Sequence, residues 1–369
     1  MYFLGCGGLL LQRNSATTPR NFFRCVYTGV VEEIIGQKTA VDTLLRSIGG
    51  DRRHHAFIFA GPRGVGKFTT AIAFAEMILA EGGPNQSTHP DLHVIKKEDI
   101  AWSKNPLLRK RKQTNIPLDL LRERMIGGKT SDDATHDAVA YKTPMFGSEK
   151  IFIIDEAELL DEAGQNALLK TLEEPPAGTT IILVTCRDDL LLPTVRSRCQ
   201  VVAFSPLDDE AMKQWSSSAC GDTRSEDLEF AIDFSCGSPG ITREAIDSGI
   251  PELARSIYAF LKLIPASDYT AASESIHSYL SNSVDAQLKE NPLASKEAAN
   301  RRSAYRIFML FGQAARSMVR GDRQEDGIVA AAILVDVERQ LSRNISIKVL
   351  LESLAARWSH LCGGDATLV

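Results

Sequence analysis

No two of the seven cysteines, at positions 6, 25, 186, 199, 220, 236 and 362, form a CxxC pair, so zinc-module and dithiol-redox readings fail on spacing. Reduced thiols in a cytosolic protein are the simpler account. Nor does any apolar run reach the roughly 18 residues that a membrane helix needs. The formal net charge is only -5 over 369 residues, which argues against the whole molecule acting as a nucleic-acid sponge while leaving room for a local basic face. The start, Met1 to Leu11, is apolar and Gly-rich, and Gly5-Cys6 faintly resembles a lipoprotein cleavage site. It lacks the basic start and long apolar centre of a signal peptide. Residues 1–28 are therefore read as a disordered leader or an upstream start codon and kept out of the fold.

What is present is a chain too long for one hydrophobic core, so two or three domains are expected. Short apolar runs at 56–60, 92–95, 151–154, 180–184 and 200–204 are bounded by turn residues and read as buried parallel strands. Helical patterns lie between them. Ala71 to Leu79 follows the first strand, and Leu159, Leu160, Ala163, Ala167, Leu168 and Leu172 trace a helical face that ends at Pro175-Pro176. The alternation predicts a doubly wound α/β domain over 29–205. Residues 206–250 read as a small helical lid. From 251 to 369 the pattern stays helical, predicting an all-α domain with its own core. Stretches 99–115 and 127–148 are polar and Gly-containing and read as loops or an insertion.

The strongest local signal is Gly61-Pro62-Arg63-Gly64-Val65-Gly66-Lys67, between a strand and a helix start. Glycines let successive N–H groups turn toward a phosphate, the helix N-terminus adds favourable partial charge, and Lys67 would reach the β- and γ-phosphates. The position after the lysine ordinarily supplies a hydroxyl to magnesium. Here it is Phe68, and Thr69 lies about 100° further around the helix. Thr69 is kept as a candidate phosphate contact, but efficient metal-assisted hydrolysis is not expected. Ile151 to Glu156 is an apolar strand ending in two acids, which would set Asp155 near a metal and Glu156 where it orients a water; four apolars and two acids also occur by chance. Arg198, in Ser197-Arg198-Cys199, reads from spacing alone as a solvated surface arginine, with phosphate charge on a neighbouring subunit as the alternative.

Taken together, Gly36-Gln37, the phosphate loop, Asp155 to Leu160, Asn166 to Pro176 and Ser197-Arg198-Cys199 occur in the order of the AAA+ clamp-loader family of DNA replication, which residues 30–250 resemble. The tail from Asn344 to Leu354 is similar to the last helix of the bacterial collar domain. Within the family the chain resembles the δ′ subunits of bacterial DNA polymerase III more than the ATP-hydrolysing γ/τ subunits. His89-Pro90-Asp91-Leu92-His93 looks like the δ′ strand, and Gly240 stands where γ/τ members carry a sensor arginine, with Arg243 offset by three.

The resemblance implies an α/β P-loop AAA+ domain, a helical lid and an all-α collar domain for oligomerisation. It implies a cytoplasmic subunit of the polymerase III nucleotidyltransferase complex, in a hetero-oligomeric ring with γ/τ and δ, helping load a sliding clamp on primed DNA contacted through phosphates. Its own ATPase would be weak or absent, with Arg198 an arginine finger in trans. The same resemblance assigns Glu156 to catalysis and Thr185, in preference to Cys186, to the sensor-1 position. ATP would lie on 61–67, with magnesium at Asp155 if nucleotide binds. Many relatives carry a four-cysteine zinc module; residues 80–150 contain no cysteine, so no zinc is expected. Lys67, Asp155 and Glu156 keep a working ATPase motor open as the alternative. Arg109 to Lys112 is a basic run that could touch DNA or simply be solvated.

Overall fold

A computed structural model describes residues 34–49, 54–79, 89–221, 223–255, 270–290, 295–341 and 346–362. The leader expected at 1–28 and most of the helical stretch expected over 253–264 lie outside them.

Five strands form one parallel sheet: β1 (Ala56–Ala60), β2 (Leu92–Ile95), β5 (Lys150–Ile154), β6 (Thr179–Thr185) and β7 (Gln200–Ala203), in the order β2-β5-β6-β1-β7. A separate two-stranded hairpin joins β3 (Gly128–Lys129) to β4 (Thr135–His136). The five sheet strands are the ones the apolar runs predict, shifted by one residue at some ends. Both faces of the sheet are covered, which is why the strands read as unbroken apolar runs. Period-two alternation still divides them. Phe57, Phe59, Ile151, Ile153, Ile182 and Val184 face α1 (Lys38–Gly49) and α2 (Lys67–Leu79), packing with Leu44, Phe74 and Ile78. Ile58, Phe152, Ile154, Ile181 and Leu183 face the other side, against Leu168 and Leu172 of α3 (Glu162–Glu173).

Two expectations need correction on that second face. The helical pattern predicted from Leu159 begins later: Asp161 caps α3 by accepting the Gly164 N–H at 2.7 Å, and Leu159 and Leu160 belong to the preceding turn. The polar stretches read as loops, though mostly exposed, carry buried anchors. Ile100 and Leu108 in the first and Ala140 in the second are fully buried in the same cluster as β5 and β6, joined by Ile116 and Met125 from the segment between them. Ile100, Leu108, Met125 and Ala140 sit on the short pieces Lys97–Trp102, Pro106–Arg109, Arg122–Ile126 and Val139–Tyr141, and Ile116 in an isolated bridge to Leu160, all too short for an apolar periodicity to show.

The connection is also pinned by Asp91, whose buried carboxylate accepts the backbone N–H groups of Met145 (2.7 Å) and Phe146 (2.8 Å). That is the physical use of the acid in His89-Pro90-Asp91-Leu92-His93. His93 stacks on Phe152 at 4.7 Å, and burial, joined by Lys150, lowers its pKa despite the opposing pull of Asp91.

Beyond the sheet come α4 (Asp209–Ala219), α5 (Ser225–Ser235), α6 (Pro239–Asp247), α7 (Thr270–Glu290), α8 (Lys296–Arg320), α9 (Gln324–Leu341) and α10 (Ile347–Cys362). Helix α7 falls outside the apolar helical stretches read at 253–264, 304–319, 328–341 and 347–358, because its Ser- and Ala-rich sequence carries little apolar signal. Phe234 of α5 and Ala245 of α6 share one apolar cluster with Ile307, Phe311, Leu350 and Trp358. The core expected for the tail alone therefore extends into the lid, and Trp358 lies edge-on to Phe311 at its centre, at 4.8 Å.

Leu108→Ala tests whether the connecting segment is core. Its loss should cost about 2–5 kcal/mol in urea unfolding, as for other buried leucines. A cost under about 0.5 kcal/mol would mark the segment as solvated surface.

Candidate phosphate-binding site

Strand order alone assembles the site. β5, β6 and β1 are neighbours and run parallel, with Ala60 opposite Thr185 and Ile154 opposite Leu183. Whatever follows each strand therefore emerges along one edge of the sheet. Those continuations are Gly61 to Lys67, Asp155-Glu156 and Thr185-Cys186. Except for Gly61 and Pro62, these candidates line one cleft of about 960 Å³.

The loop is held from three sides. Lys67 is almost fully buried, and its ammonium donates to the carbonyls of Gly61 (2.7 Å) and Pro62 (2.5 Å) and contacts Cys186 Sγ at 3.5 Å. Gly61 and Pro62 thus serve the lysine more than the cleft wall. Gln37, also buried, donates to the carbonyls of Val65 (3.0 Å) and Ser205 (2.7 Å), tying the loop to the end of β7. The third side is the lid. Ser238 donates to the Arg63 carbonyl at 2.8 Å, and the Gly240 N–H donates to the Gly64 carbonyl at 2.8 Å. This approach explains both glycines. Gly64 has φ +76°, and a Cβ on Gly240 would stand 2.8 Å from the Gly64 Cα.

The two acids are already engaged. Ile95 pairs with Ile154, so Lys96 and Lys97 leave β2 alongside Asp155 and Glu156 leaving β5. Lys96 Nζ lies 4.0 Å from Asp155 Oδ2 and 4.0 Å from the centre of the Phe68 ring, a cation–π contact worth about 0.5–1 kcal/mol at an exposed site. Lys97 Nζ meets Glu156 Oε2 at 2.5 Å. Glu156 itself adopts a left-handed backbone, φ 51°, uncommon for a residue with a side chain. Burial raises the Asp155 carboxyl above its ordinary value; Lys96 pulls it down and Glu156 pushes it up. A magnesium shell does not fit these residues. Phe68 brings a ring where a hydroxyl is needed, and the Asp155 carboxylate faces an ammonium.

Also lining the cleft are Ile35, Leu207 and Trp215, an apolar surface formed with α4. Thr69 is exposed on the cleft. Thr185 is fully buried, its hydroxyl accepting the Arg187 N–H at 3.0 Å, so of this pair it is the Cys186 side chain that meets Lys67. Arg243 lines the cleft too, its guanidinium donating to the Ala219 carbonyl at the end of α4.

One ion network, invisible to motif reading, joins the loop to the tail. Glu244 of α6 receives Arg63 Nη2 at 3.0 Å and Arg306 Nη2, from α8, at 2.6 Å. Burial pushes the Glu244 carboxyl up, but Arg63 and Arg306 outweigh it and hold it below the usual carboxylate range.

Arg198 lies elsewhere. Gln200 pairs with Phe57 at the start of β1, whereas the phosphate loop follows the end of β1. The strand between them spans roughly 15 Å. The guanidinium is half-buried, paired with Glu173 at 2.6 Å and donating to the Thr194 carbonyl at 2.9 Å. Arg109, Lys110, Arg111 and Lys112 are all exposed.

The Glu244 network predicts an acid-labile element. A carboxyl with a depressed folded pKa contributes stability in full above its unfolded value, about 4.3, and loses it as pH falls through the lower folded value. The melting temperature of the unaltered chain should therefore drop more steeply across that window than that of Glu244→Gln. Equal slopes would show that the network contributes nothing.

Comparison with known proteins adds the family. A family model described as DNA polymerase III, delta subunit, matches residues 36–208. The DNA polymerase III subunit delta' of Pseudomonas aeruginosa is 28% identical over 224 residues, covering 57% of this chain and 61% of that protein. The DNA polymerase III subunit tau/gamma of Haemophilus influenzae is 30% identical over 184 residues, covering 49% of this chain and 25% of that protein. The chain thus spans less than two thirds of the length of either curated relative. A solved DNA polymerase III gamma subunit-related protein from Thermotoga maritima overlays with a TM-score of 0.45 at 17% identity, covering 92% of this chain and 99% of that one. Through its residues 36–208, just under half of its length, this chain is similar to the delta, delta' and tau/gamma subunits of DNA polymerase III.

Proposed function

We propose that this chain is a δ′-like subunit of a DNA polymerase III clamp loader, acting mainly as a stator and offering Arg198 to an ATPase site on a neighbouring subunit. In this reading residues 29–205 are the AAA+ P-loop domain, 206–250 the lid and 251–369 the collar that assembles with γ/τ and δ subunits. The ring helps place a sliding clamp on primed DNA, which it contacts through phosphates, with Arg109 to Lys112 as candidate contacts. The cleft at 61–69 is a nucleotide site that binds ATP or its product and turns it over poorly, if at all.

The observation that carries the reading is the location of Arg198. It lies at the opposite end of β1 from its own phosphate loop, so it cannot serve that loop, while Glu173 and Thr194 hold its guanidinium in place. A planar guanidinium held in advance suits phosphate charge presented by another subunit. Retained Lys67, Asp155 and Glu156 favour a second reading, a hydrolysing motor. Against it stand Phe68 after the lysine and the lysine partners of both acids.

Arg198→Ala should leave the melting temperature and the nucleotide affinity of the purified chain unchanged. ATP turnover by the reconstituted complex should fall by about 10³-fold or more, the lower bound for a lost arginine finger. Undiminished turnover by the complex would return Arg198 to an ordinary surface role.

A further inference from the structure

The two lysines that follow β2 give the cleft a property that neither the family match nor the phosphate loop implies. Three carboxylates, Asp155, Glu156 and Glu158, line it, and a bare polyphosphate entering such a cleft would be repelled. In ordinary P-loop sites a divalent ion resolves this by bridging the acid and the phosphates. Here parallel pairing of β2 with β5 delivers two ammonium groups to the first two acids. Lys96 is also seated on the Phe68 ring, so the side chain that removes the hydroxyl donor builds a place for the cation.

In the same cleft, Ile35, Leu207 and Trp215 form an apolar wall suited to a planar heterocycle. We infer that the cleft takes a nucleoside di- or triphosphate without a divalent cation, with Lys96 supplying at Asp155 the positive charge that a metal ion would otherwise bring. The inference rests on reading the cleft as a nucleotide site and is independent of the role given to Arg198. Lys96 is a positioning residue in this account: it neutralises Asp155 so that Lys67 and the loop N–H groups can donate to the phosphates.

Calorimetric titration of the full chain with ADP and with ATP, in EDTA and in excess magnesium chloride, tests it. The unaltered chain should bind with affinities that agree within about threefold between the two buffers, well inside the tenfold that corresponds to 1.4 kcal/mol. Lys96→Met keeps an unbranched chain against Phe68 but removes the charge, and should weaken binding in EDTA by about tenfold or more. Lys96→Arg should stay within about threefold of the unaltered chain, and melting curves of both variants report whether they fold. If Lys96→Met does not fold, the buffer comparison and Lys96→Arg decide the matter.

Magnesium tightening the unaltered chain by about tenfold or more would overturn the inference, as would a folded Lys96→Met that binds normally in EDTA. So would the absence of binding in either buffer, a result that leaves the Arg198 reading intact.

Discussion

A carboxylate held between two guanidiniums from distant parts of the chain is the contact on which the rest of the structure turns. Glu244 sits on the lid helix, Arg63 on the phosphate loop and Arg306 on a helix of the tail. A half-buried acid is tolerable only if its charge is met, so satisfying Glu244 fixes three elements relative to one another. The backbone contact of Gly240 with Gly64 follows from that closeness, as does the merging of lid and tail into one apolar cluster. Where the loop and the tail share an ion partner, a change in the loop has a physical route to the helices beyond it.

The same closeness colours the chemistry of the loop. Its lysine is turned onto its own carbonyls, the lid is bonded to its backbone, and both acids that would serve a metal are paired with lysines. Each substitution looks minor alone. Together they brace the loop, with an ammonium group beside each of the two acids. In the proposed reading the active contribution falls to Arg198, which lies at the other end of β1 from the phosphate loop.

Much of this was legible in the sequence because the relevant signals are local. A strand buried on both faces is a short apolar run, a phosphate loop is a glycine pattern, and a helix stops at Pro175-Pro176. Phe68 announced the missing hydroxyl without any coordinates. Other features were hidden because they arise from pairing across the chain. The approach of Lys96 to Asp155 follows from the β2–β5 register, and the Arg63–Glu244–Arg306 network links residues that share no motif. The buried anchors within 99–115 and 127–148, such as Ile100, Leu108 and Ala140, went unseen because they sit on short helical turns, where no period can accumulate. Helix α7 lies outside the apolar helical stretches for the opposite reason, being long but poor in large apolar residues.

The central claim is that the loop is a binder and not an engine, and steady-state ATP turnover by the purified chain alone tests it most directly, with Lys67→Ala as the control. The account predicts turnover at the background level for both proteins. Turnover clearly above background that disappears in Lys67→Ala would contradict it, and would make this chain a motor in its own right.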